Sequence, residues 1–179
     1  LDNNGGATAT DEPTGVSTSV ITTTDSYKWK FMYTLSAAQQ SNFLSIDFMA
    51  VSPNSGASSD QSNVISAAVN GSIDIVKIKT GGSGGTNGTF AGIPIRGDGS
   101  GGVATVVVAG GTITSVAITT QGTGYTFATI SNAQIVAAGA TSLAGSELDV
   151  IIPPKGGHGA NAQEELGAFF VMMNTSLEG

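Results

Sequence analysis

Cysteine is absent from all 179 residues. That excludes disulfides and thiolate metal sites. Histidine occurs once, at His158, so a zinc centre would need several carboxylates to complete it. Charge is scarce too, at 11% of residues, and only six are basic. Lys28, Lys30, Lys77, Lys79, Arg96 and Lys155 are scattered in ones and twos. No basic patch for nucleic acid or an anionic membrane can be read from them. No apolar run approaches the ~20 residues of a membrane helix.

What remains is a chain of small residues. Glycine accounts for 26 positions, and Ser, Thr and Ala fill much of the rest. Such a composition suits β-rich packing with tight turns. The hydrophobic fraction, 40%, is adequate for a core, and the net charge is −7. The chain opens without Met and closes on Leu177-Glu178-Gly179, which reads as a piece of a longer polypeptide.

Periodicity predicts the elements. A turn-rich opening holds one short strand, Val16 to Thr23. Tyr27, Trp29, Phe31 and Tyr33 alternate with Lys28, Lys30, Met32 and Thr34. This is the clearest strand pattern in the chain, with one aromatic face for core or interface packing. Ser36 and Gln39 have capping-box spacing and predict a helix to Leu44. Residues 52–63 read as a loop. Leu148 to Ile152 reads as a strand stopped by Pro153-Pro154. Asn161 predicts a helix cap, and Phe169 to Met173 a final strand or buried segment.

An internal repeat carries most of the fold information. Residues 71–84 match 111–124 at a constant offset. Gly71/Gly111, Ile73/Ile113, Val76/Val116, Ile78/Ile118, Thr80/Thr120, Gly82/Gly122 and Gly84/Gly124 are identical pairs. Each copy reads as turn, strand and Gly-x-Gly turn, followed by a further strand: Thr89 to Ile95, then Thr126 to Ile135. Val103 to Val108 lies between them, closed by a Gly110-Gly111 hairpin. The expected fold is mainly β and antiparallel, sandwich-like, with one or two short helices. Residues 64–135 are expected as a glycine-rich β insertion within a main β domain of 1–63 and 136–179.

Candidate chemistry is thin. The glycine runs 81–85 and 97–102 lack the Lys-Ser/Thr of a phosphate loop and read as turns. His158 would need a nucleophile and an orienting acid to act as a base. No Gly-x-Ser-x-Gly elbow is placed to supply one. The neighbouring Glu164 and Glu165 do not face each other on a helix, which makes a poor acid–base dyad. No catalytic residue, cofactor site or metal site is assigned.

Three segments resemble the baseplate wedge protein encoded by gene eight in T-even-type contractile phages, with cyanophage relatives nearest. They are Leu1 to Gly15, then Asp25-Ser26-Tyr27-Lys28-Trp29-Lys30-Phe31-Met32-Tyr33, then Pro153-Pro154-Lys155-Gly156-Gly157-His158-Gly159 with Glu165-Leu166-Gly167. Ser26 stands where the family pattern has glycine. The resemblance implies a non-enzymatic virion component of the tail baseplate. It implies a homodimer within each wedge that contacts other wedge proteins, with no nucleic acid or membrane partner. A carbohydrate- or receptor-binding tail domain is the alternative, and it requires an exposed aromatic platform in the repeat region.

Overall fold

The computed structural model describes residues 1–2 and 6–175. Asn3-Asn4-Gly5 of the opening motif and the closing Leu177-Glu178-Gly179 lie outside the described residues. In chain order the elements are β1 (Ile21–Thr22), β2 (Lys28–Trp29), α1 (Ala37–Phe43), α2 (Ser59–Ala67), β3 (Val76–Ser83), β4 (Gly88–Pro94), β5 (Arg96–Gly97), β6 (Val103–Ala109), β7 (Thr112–Thr120), β8 (Ala128–Thr129), α3 (Asn132–Ala137), β9 (Ala144–Val150) and α4 (Ala162–Glu165). The protein is mainly β, and the strands pair antiparallel. The described residues hold four short helices rather than one or two.

The chain divides into two compact units. A β unit comprises Leu1–Thr8 and Val69–Gly157, and a helical unit comprises Ala9–Ala68 and His158–Gly179. Residues 64–68 of the expected insertion belong to the helical unit, while 69–135 lie in the β unit, which continues to Gly157. The reason is β9, which pairs with β3.

The β unit forms because its strands alternate. In β6, Ala104, Val106 and Val108 are buried, while Val103, Thr105 and Val107 are half-buried. These join Ile73, Ile93, Ile113, Val116 and Leu143 in one core. The pairings are β3 with β9, β4 with β6 with β7, and β5 with β8.

The 40-residue repeat is a structural duplication. Val76, Lys77, Ile78 and Thr80 of β3 pair with Val150, Asp149, Leu148 and Glu147 of β9. The equivalent Val116, Ala117, Ile118 and Thr120 of β7 pair with Val106, Thr105, Ala104 and Val103 of β6. Both ladders carry a register shift at the same step, between Ile78 and Thr80 and between Ala104 and Val103. The glycines agree as well: φ is +65° and +79° at Gly71 and Gly111, +72° and +66° at Gly82 and Gly122, and +75° and +78° at Gly84 and Gly124. Two hydrogen bonds are exchanged reciprocally between the copies. Gly85 N–H donates to Gly111 O at 3.0 Å, and Tyr125 N–H donates to Gly71 O at 3.2 Å. The copies are therefore related by a pseudo-two-fold, and each lends its last strand to the first strand of the other.

The second copy departs from the first after β8. The expected strand from Thr126 to Ile135 is a two-residue strand followed by α3. A capping box decides this. Gln134 N–H donates to Ser131 Oγ at 3.3 Å, and Ser131 N–H donates to Gln134 Oε1 at 2.8 Å. Ile135 of α3 is fully buried.

In the helical unit, α1 has the expected capping box from Ser36 and Gln39. The expected loop at 52–63 instead contains the start of α2, where Ser58 Oγ accepts the Gln61 N–H. The strands expected at 16–23 and 27–35 shrink to β1 and β2, a two-rung hairpin. Beyond β2 the aromatic row, Phe31 and Tyr33, has no ladder partner among the described residues. Phe169 to Met173 is neither a strand nor buried. Phe169, Phe170, Val171 and Met173 are more than four-fifths exposed.

Candidate functional site

The residues singled out from the sequence fall into three places. The first is the aromatic hairpin. Asp25 organises it: its carboxylate accepts the Thr23 hydroxyl at 2.6 Å, Thr10 N–H at 2.8 Å and Tyr27 N–H at 3.3 Å. Those bonds, the Thr23 hydroxyl foremost, hold its pKa at about 2. Ser26 then turns the chain with φ +68°. This is the left-handed region that glycine fills without strain, where the resembled family pattern has glycine. Tyr27 and Trp29 stack at 5.7 Å with 21° between their planes. Trp29 Nε1–H donates to Thr23 Oγ1 at 3.2 Å. Tyr33 donates its hydroxyl hydrogen to Ala50 O at 2.9 Å, and burial raises its pKa. All four aromatic residues, Tyr27, Trp29, Phe31 and Tyr33, are half-buried.

The second place is the Pro-Gly corner, which the boundary between the units divides. Pro153 is buried and Pro154 half-buried in the β unit. Gly157 N–H donates to Pro154 O at 2.9 Å, and Gly156 N–H to Asn70 Oδ1 at 2.8 Å. A Cβ on Gly157 would stand 2.4 Å from Val69 O, so a side chain is sterically barred there.

In the helical unit, His158 Nδ1 lies 2.6 Å from Glu165 Oε1. The other carboxylate oxygen of Glu165 accepts Gly159 N–H at 2.8 Å. Burial pushes the Glu165 pKa up, but the bonds from His158 and Gly159, with the nearby charges of His158 and Lys30, outweigh it. The net direction is down. Gly159 packs against Val64 of α2, and a Cβ there would meet Val64 Cγ1 at 2.3 Å. Asn54 Nδ2–H donates to Ala160 O at 2.8 Å, and Asn161 caps α4. The histidine thus closes a carboxylate clamp on the stretch that enters α4. Leu166, which follows α4, is exposed.

The third place is a groove in the helical unit of about 520 Å³, lined by Phe43, Phe48, Met49, Leu166, Phe169 and Met172 among others. Phe170, which also lines it, is mostly exposed.

No family model, curated protein or solved structure matches the chain. What the site can do is therefore read from its own geometry.

Among the described residues, no group of three or more His, Asp or Glu is placed to hold a metal ion. Glu165 supplies the acid that orients His158, but the contacts of the pair are a carboxylate and a backbone amide rather than a nucleophile. In the β unit, Tyr125 is buried, with its hydroxyl bonded to Ile95 O and Gly102 N. It therefore offers no stacking surface for a sugar. Sequence reasoning missed Asp98. Its carboxylate accepts from the Thr126 hydroxyl at 2.5 Å and from Thr126 and Phe127 N–H at 2.9 and 3.1 Å, which holds its pKa at about 2. Only the third dimension brings residue 98 to 126. The groove was missed as well, because the run from Phe169 to Met173 reads as core.

Proposed function

We propose that the chain is a non-enzymatic structural subunit of a contractile-phage tail baseplate, set in a wedge among other wedge proteins and a second copy of itself. The observation that carries this reading is the apolar surface of the helical unit. Phe169, Phe170, Val171 and Met173 join Ile46, Phe48 and Met49 in standing largely exposed. Exposed patches on this scale mark protein–protein contact. The sequence motifs of the resembled wedge protein supply the setting. Their geometry suits a part that holds shape: a hairpin tied by Asp25, a corner that bars side chains, and a histidine clamped by Glu165. The work of such a part is mechanical. It fixes neighbours in one arrangement and accepts a second when their interfaces shift.

The test is to localise the chain in particles of the phage that encodes it. Immunogold label at the baseplate, with the chain present among tail proteins in stoichiometric amounts by mass spectrometry, is the expected result. Particles that lack the chain would overturn the proposal.

A further inference from the structure

The groove of the helical unit has a chemical preference, and naming it deepens the assembly reading above and rests on it. Ile46 is 99% exposed, Phe48 61%, Phe169 82%, Phe170 89%, Val171 89% and Met173 86%. Side chains of these sizes present about 1,000 Å² to solvent, against about 800 Å² that one partner buries in a standard interface. One stable partner is therefore enough to cover them.

Charge then selects the partner. Among the described residues, the helical unit holds seven of the twelve carboxylate residues but only two of the six cations. Among the described residues, the only formal charge lining the groove is Asp47. Lys30, one of the two cations, donates its ammonium to Thr18 O at 2.6 Å. A second copy seated on this face would oppose two acidic units. An anionic lipid surface would be repelled in the same way.

We propose that this groove receives an apolar segment carrying lysine or arginine from a different protein of the assembly. Its aliphatic and aromatic side chains would cover Phe169, Phe170 and Phe48, and its cations would face Asp47.

The test uses the full chain and two fluorescein-labelled peptides, one alternating leucine with lysine and one alternating leucine with glutamate, read by anisotropy. The lysine peptide is expected to bind about 10-fold more tightly than the glutamate peptide. Phe170→Ser leaves the net charge unchanged and is expected to weaken that binding at least ~5-fold by removing apolar contact. Asp47→Lys is expected to narrow the preference between the peptides. Equal binding of the two peptides overturns the proposal. So does binding that Phe170→Ser leaves intact, because the attraction would then be charge alone. Sedimentation as a dimer that Phe170→Ser disperses, without peptide preference, would assign the groove to a second copy and overturn it. Binding to phosphatidylcholine vesicles that Phe170→Ser abolishes would assign it to lipid and overturn it equally. Localisation in particles is a separate readout. A chain found at the baseplate whose groove fails these tests loses this partner and keeps its place.

Discussion

Tyr125→Phe isolates the hydroxyl that ties the two repeats together. Tyr125 is 2% exposed. Its hydroxyl donates to Ile95 O at 2.9 Å and accepts Gly102 N–H at 3.1 Å. Ile95 N–H also donates to Gly102 O at 2.9 Å, so the same two residues are held twice. Phenylalanine keeps the ring and nearly all of the packing. What it removes is one partner from each of two buried backbone groups. An orphaned buried group costs about 1–3 kcal/mol, so the substitution, which orphans two, should cost about 2–6 kcal/mol. With a urea slope of about 2 kcal/mol/M, the midpoint should fall by roughly 1–3 M. Far-UV circular dichroism follows the strands that unfold. Tyr33→Phe is the comparison, since it removes one half-buried bond, to Ala50 O at 2.9 Å, and should cost only about 0.5–1.5 kcal/mol. If Tyr125→Phe costs no more than Tyr33→Phe, burial does not amplify these bonds and the reasoning fails.

Three further outcomes are expected. Ser26→Gly relieves a left-handed serine at φ +68° and should stabilise the helical unit by about 0.5–1 kcal/mol, read from the fluorescence of the single tryptophan, Trp29. Gly159→Ala places a Cβ 2.3 Å from Val64 Cγ1 at φ +88° and should destabilise by about 2 kcal/mol or more by the same probe; an unchanged midpoint would show that the corner yields. Asp98 titrates at about 2 in the fold against an ordinary 3.8, so its contribution is present above pH 3.8 and is lost as pH falls toward 2. Asp98→Asn should flatten that part of the acid limb of stability, and a limb as steep as that of the parent would remove Asp98 from the account.

The repeat was legible because identity at a fixed offset needs no structure to be seen. Which strands pair was not legible. Periodicity assigns Val103 to Val108 to a strand and its faces to inside and outside, but it does not name β7 or place β9 beside β3. Helices were legible only in part. The Ser-x-x-Gln spacing that predicts α1 at Ser36 also opens α2 at Ser58 and α3 at Ser131. Around those last two, Asn, Asp and Gly or β-branched neighbours suggest loop and strand. The cap hydrogen bonds and burial of Val64 and Ile135 outweigh that local preference. The aromatic row shows the opposite failure. Its alternation is sound, but a strand also needs a ladder partner, and Phe31 and Tyr33 have none among the described residues. At the candidate site, the Gly corner and His158 stand out in sequence. The clamp from Glu165 depends on how the six intervening residues fold.

The exchange of last strands makes the β unit indivisible. Cutting the chain between the copies would separate β6 from β7, and a lone first copy would also lack the β9 that flanks β3. Neither half closes a sheet around Ile73 or Ile113 by itself, so the whole unit should melt as one cooperative block. The same geometry distributes load. A pull on either copy must strip rungs that belong to both, and the resistance of one ladder is enlisted before the other can give way.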